Sequence, residues 1–127
     1  MRWDGFFEWE VEMIKIGHLK QGIEKDALLQ HELIDDVLSI HSSNKTTRIE
    51  RIVSMGHCQG GNEWSDQAQS EWVILLTGGA RLEFFDPEQQ VDLKPFDYIT
   101  IEAHCRHRVI WTDPDEVSIW LAVFGDF

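Results

Sequence analysis

From Arg48 onward, apolar and polar residues fall into short runs with the period of two that marks strands. The runs are 48–54, 71–77, 80–85, 90–93, 98–101, 106–111 and 117–124. Gly60-Gly61, Gly78-Gly79, Asp86-Pro87, Lys94-Pro95 and Asp113-Pro114 sit in the gaps, where turn chemistry belongs. Many short strands at this spacing predict an all-β sandwich or barrel. Two runs, Trp72-Val73-Ile74-Leu75-Leu76 and Ile119-Trp120-Leu121-Ala122-Val123-Phe124, are apolar on both faces. A strand with one face in water should alternate. One face of each run therefore fills the interior. The other needs a cover, supplied by the N-terminal segment, by a second subunit, or by both.

The N-terminal third reads differently. Phe7, Trp9, Val11 and Met13 alternate with Glu8, Glu10 and Glu12, which predicts an extended, aromatic-rich lead-in over residues 1–16. Over 24–40, Leu29, Leu33, Val37 and Ile40 recur at helical steps. Glu24, His31 and Asp35 lie opposite, and Leu28 and Asp36 depart from that division. This predicts a helix ended by Ser42, Ser43 and Asn44. The expected organisation is an N-terminal extension with one helix, residues 1–47, attached to a single β domain, residues 48–127. No βαβ alternation occurs.

Composition narrows the functional classes. The 127 residues are 43% apolar and 27% charged, which suits one globular domain with a real core. The net charge of -12 repels phosphate backbones and anionic membrane surfaces, so neither nucleic acid nor membrane is an expected partner. No apolar run reaches the roughly 18 residues of a spanning helix. Asp4, Glu8, Glu10 and Glu12 interrupt the start of the chain, which lacks the basic lead and apolar centre of an export signal. A cytoplasmic location is expected, with Cys58 and Cys105 as free thiols.

Two stretches carry a family resemblance. In Trp64-Ser65-Asp66-Gln67-Ala68-Gln69-Ser70-Glu71-Trp72, Glu71 is followed after six residues by Gly78. In Leu93-Lys94-Pro95-Phe96-Asp97-Tyr98 and Ala103-His104-Cys105-Arg106-His107, His107 closes the second pattern. Together they resemble the two motifs of the cupins, over about residues 48–124, and in particular a subgroup of small cupins without an assigned reaction. The resemblance implies an all-β jelly-roll barrel, here with its N-terminal helical attachment, and chemistry inside the barrel. In metal-dependent cupins the first motif supplies two histidines, and Trp64 and Asp66 stand at those positions. Phe96 stands where the subgroup has glycine, and Glu102 where it has proline.

Strand parity gives an independent reading of the same residues. Glu71, Val73 and Leu75 share one face, as do Cys105, His107, Val109 and Trp111. An inward Glu71 in an apolar lining must be paired, protonated or metal-bound. Asp66, Glu71 and His107 form a mixed oxygen and nitrogen set that would suit Mn, Fe, Ni or Zn with positions left open. The alternative is a buried Glu71–His107 hydrogen-bonded pair with Asp66 capping a loop. His57 and Cys58 lie in a Gly-rich loop that is a further candidate for the mouth of the barrel. Cys105 flanked by His104 and His107 is a candidate activated thiol. Arg48 and Arg51 have opposite parity, so one of them can face the interior while the other faces out; a surface charge pair with Glu50 is the simpler account.

Three functions fit these residues. One is a metal-binding cupin enzyme acting on a small polar molecule. The second is a metal-free isomerase with Glu71 and His107 as catalytic acid and base. The third is a non-catalytic small-ligand binding module. The doubly apolar strands add the expectation of a homodimer.

Overall fold

The computed structural model describes residues 13–14, 16–30, 33–40 and 47–127. The lead-in alternation and the break at 42–44 lie outside the described residues, apart from Met13, Ile14 and Ile16. Among the described residues, eight strands follow one short helix. They are α1 (Lys25–Gln30), β1 (Ile34–Ile40), β2 (Arg48–Ser54), β3 (Ser70–Leu75), β4 (Ala80–Phe84), β5 (Gln89–Leu93), β6 (Tyr98–Ile101), β7 (His107–Thr112) and β8 (Ser118–Gly125).

All neighbouring strands pair antiparallel, in a five-stranded sheet of order β1-β2-β8-β3-β6 and a three-stranded sheet of order β5-β4-β7. The two sheets pack over one core. Val73 and Leu75 of β3 and Trp120, Ala122 and Phe124 of β8 meet Leu82 and Phe84 of β4. Parity decides this: the odd residues of β3 and the even residues of β8 point inward, so the inner face of each doubly apolar run is buried. Among the described residues, the sheets are not hydrogen-bonded into a closed barrel.

The helix expected over 24–40 is corrected to the six residues of α1, and Ile34–Ile40 is instead a strand. The free edge of β2 offers an unpaired ladder, and extended chain satisfies its own backbone by adding there. Ile34 pairs with Val53 and Ile40 with Arg48, with a register shift between Val37 and Ser39. Of the supposed helical stripe, Leu33 is 41% and Val37 51% exposed. The residue that does pack is Leu28 of α1. It is buried with Val53, Met55, Val117 and Ile119 on the outer face of the large sheet. The N-terminal segment thus covers one end of that face. Arg51 pins it there, donating to both Asp36 carboxylate oxygens (3.0 and 2.8 Å) and to the carbonyls of Leu19 and Gln21.

Two turns fix the strands around the interior. Gly78, after β3, has φ +79°, and a Cβ there would lie 2.1 Å from Ser118 Oγ and 2.7 Å from its Cα. Only glycine permits that approach. Thr77 ties the same turn to β8 by donating to the Val117 carbonyl and accepting from the Ile119 amide. Phe96, between β5 and β6, also adopts a left-handed backbone (φ 73°). Among the described residues, no helix is long and apolar enough to cross a membrane.

Candidate functional site

A cavity of about 370 Å³ opens between the sheets. β2 lines it with Arg48, Glu50, Ile52 and Ser54, β3 with Glu71 and Val73, β7 with His107 and Val109, and β8 with Trp120 and Phe124. His57, Cys58, Gln59, Ser65 and Gln67 approach from the loops between β2 and β3, and Leu33 and Asp35 from the N-terminal side.

Glu71 and His107 meet here, both buried. Each stands where its strand's alternation turns it inward. The His107 Nε2 lies 3.4 Å from Glu71 Oε1, within ion-pair distance and at the long end of hydrogen bonding. The His107 Nδ1 lies 2.8 Å from the Cys105 carbonyl oxygen. That carbonyl can only accept, so Nδ1 must carry a proton. A neutral ring would then turn a lone pair toward the carboxylate. Protonation at Nε2 removes the clash. Burial, the largest single influence, works against the charged ring. The Glu71 carboxylate and the Cys105 carbonyl together outweigh it and raise the pKa above that of an ordinary histidine. Glu71 Oε1 itself has no hydrogen-bond partner among the described residues.

Asp66 is placed elsewhere. Its flanking residues Ser65 and Gln67 line the cavity, and Asp66 does not. Its Oδ1 instead lies 2.9 Å from Nδ1 of His104, on the surface, with the two side chains 49% and 70% exposed. Trp64 also serves the exterior, lying under the Arg108 guanidinium at 4.1 Å and edge-on to Phe85 at 5.3 Å. Both positions that carry motif histidines in metal-dependent cupins are thus occupied by residues in other contacts. Among the described residues, no group of three or more His, Cys, Asp or Glu is gathered to hold a metal ion. One imidazole and one carboxylate, facing each other, fall short of the three protein ligands of a typical catalytic site. The donor set does not fit a divalent-metal centre.

The structure also adds two acids. Glu50 is buried on the cavity wall, where Arg48 Nε donates to it, so the pair runs from the wall to the rim, with the Arg48 side chain 38% exposed. Arg48 extends over the Phe124 ring at 4.1 Å and donates to Gln69 Oε1 at 3.0 Å. Arg51, of opposite parity, faces out as expected. Asp35 shares a hydrogen bond with Glu50. Burial first, then that bond and the Glu50 charge, push its carboxyl up to about 6 against the pull of Arg48. Glu50 was detectable through its parity with Ile52. Asp35 was hidden by the helical reading of its segment. His57 lines the cavity with its Nδ1 accepting from the Met55 amide at 2.8 Å, and Cys58 lies beside it.

Two antiparallel sheets enclosing a cavity define a jelly-roll sandwich. Residues 52–124 match the family model described as a cupin domain. The chain is also 35% identical to a crystal structure from Ralstonia eutropha JMP134, a provisionally assigned mannose-6-phosphate isomerase. That match covers 90% of this chain and 100% of the other, with a TM-score of 0.80. The chain belongs to the cupin family. A cupin superfamily protein from Desulfitobacterium hafniense DCB-2 shares the fold at 17% identity and a TM-score of 0.59, over 75% of this chain and 79% of that one. So does hydroxypropylphosphonic acid epoxidase from S. wedmorenis, at 11% identity and a TM-score of 0.60. That match takes in 72% of this chain and half of the epoxidase, 50%. No curated protein matches the chain.

Proposed function

We propose that this cupin binds a small polar molecule in the cavity and moves a proton on it with Glu71 and His107, without a metal. The observation that carries this is the buried pair itself, an imidazole whose Nδ1 donates to the Cys105 carbonyl and whose Nε2 faces Glu71 Oε1 at 3.4 Å. The fixed Nδ1 bond orients the ring and leaves Nε2 to give or take the proton. Glu71 Oε1, held only loosely by that nitrogen at 3.4 Å, can accept a hydrogen bond, or a proton, from a bound molecule. The provisional isomerase assignment of the Ralstonia protein agrees in reaction class, because aldose–ketose isomerisation is proton transfer between adjacent carbons. We further propose a homodimer joined through the outer face of the large sheet, where Trp72, Ile74, Leu121 and Val123 are only half buried and Tyr98 is 65% exposed.

The test combines metal analysis with ligand-observed NMR on the full chain, using a panel of small polyols, aldoses and amines. The expected result is binding that survives chelator and is lost in both Glu71→Gln and His107→Ala. A stoichiometric metal that disappears in His107→Ala would replace this reading with a metal-dependent one. Binding unchanged in both variants would remove the pair from the site.

A further inference from the structure

The cavity wall has a charge pattern that bears on its ligand, given that Glu71 and His107 form the site. Among the described residues, three carboxyl groups line it, Asp35, Glu50 and Glu71. Against them, among the described residues, stands one guanidinium, Arg48, already engaged by Glu50, by Gln69 and by the face of Phe124. The remaining titratable lining groups are two imidazoles, His57 and His107, and the Cys58 thiol. Register relates the two ends of the wall. Arg48 and Glu71 both pair with Phe124, from opposite sides of β8, so their strands lie about 10 Å apart with an aromatic ring between them. Glu71 has a side chain nine-tenths buried, and its Oε1 is faced by His107 Nε2 only at the long distance of 3.4 Å, which leaves it short of a normal hydrogen bond among the described residues. A buried acceptor of this kind costs stability unless something brings a donor to it.

We propose that the ligand is a small organic cation, a primary amine or guanidinium compound, whose charged head donates to Glu71 Oε1 while its body lies toward Phe124 and the Asp35–Glu50 end. Arg48 shows that the wall accepts such a group, since its guanidinium is held by a carboxylate and an aromatic face together. The protein's net charge of -12 draws cations toward the site and repels phosphates. A phosphorylated sugar would bring its phosphate to a wall whose fixed cation is already engaged. Substrate class therefore does not follow the name of the Ralstonia relative, although the fold does. Asp35, facing Glu50, Arg48 and Asp36, becomes anionic as pH rises through about 6, and His107 loses positive charge as pH rises through its own raised value. Both changes strengthen the attraction for a cation.

The experiment is calorimetric or NMR titration of the full chain at low ionic strength with agmatine, putrescine, mannose and mannose 6-phosphate. Agmatine or putrescine should bind more tightly at pH 8 than at pH 5. Affinity should fall at least fivefold in Glu71→Gln and stay unchanged in the surface variant Asp115→Asn. Should Glu71→Gln fail to fold, Glu50→Gln reports from the other end of the wall. Amine binding unaffected by both cavity variants would mean adventitious attraction to an acidic surface and overturn the proposal. Mannose or mannose 6-phosphate binding lost in Glu71→Gln, with no amine binding, would overturn the cation and leave the Glu71–His107 site standing. Binding of no probe at millimolar concentration would overturn the proposal as well.

Discussion

His107 shows how two hydrogen-bond positions set a protonation state. With Nδ1 committed to the Cys105 carbonyl, the only freedom left is the proton at Nε2, facing Glu71. Because the folded pKa is raised above the ordinary value of 6.5, the folded chain holds this proton more tightly than the unfolded chain does. The resulting stability is fully present below 6.5 and is lost as pH rises through the raised folded value. His107→Ala should therefore cost about 1–3 kcal/mol at pH 6 and distinctly less at pH 9, measured by urea unfolding at the two pH values. A cost independent of pH would show that the ring does not titrate against Glu71. At Phe96, an exposed side chain sits on a left-handed backbone that a Cβ disfavours. Phe96→Gly is expected to stabilise the fold by about 0.5–1 kcal/mol in the same assay. A loss of stability there would mean that the phenyl ring packs usefully against something.

At the scale of elements, Gly78 is the contrasting case. Its φ and its closeness to Ser118 both exclude a side chain. Gly78→Ala should cost at least about 2 kcal/mol and lower the thermal midpoint by several degrees, because the β3–β4 turn must withdraw from β8. A midpoint within one or two degrees of wild type would contradict that contact. The same turn explains why the β domain was legible in the sequence. From Arg48 onward, alternation, turn residues and the Glu71 to Gly78 spacing all mark one architecture, and β2 and β6 have the bounds that the pattern implies. Residues 34–40 were not legible, because what makes them a strand is the open edge of β2, a tertiary fact absent from any local window. The site divides in the same way. Glu71 and His107 follow from strand parity, but Trp111, which parity put on the same face as His107, is 44% exposed and off the cavity wall, because the register shifts between Val109 and Trp111. Asp66 lies in a loop, where parity has no force, and is turned outward to His104. Asp35 reaches the cavity only because its segment is extended.

The whole molecule has an inner face that is closed and an outer face that is only partly so. Leu28 and its neighbours cover the end of the large sheet near Val53 and Ile119. Trp72, stacked obliquely on Tyr98 at 5.6 Å, lies with Ile74, Leu121 and Val123 on the remainder. If a second copy covers this region, light scattering should give twice the 14.8 kDa chain mass at micromolar concentration. Leu121→Glu should then halve that mass while leaving circular dichroism unchanged. A monomeric wild type at that concentration would refute the dimer.

The family model matches from Ile52 onward, yet Leu33, Asp35, Arg48 and Glu50 all line the cavity and all precede it. The shared scaffold thus carries the Glu71–His107 pair, while an edge strand outside the matched segment and the start of β2 carry much of the charge on the cavity wall. Such a division lets the wall's charge change by exchange of one border strand, with Glu71 and His107 untouched. Two cupins that agree closely across the matched segment can therefore differ in what their cavities admit, through residues that lie outside it.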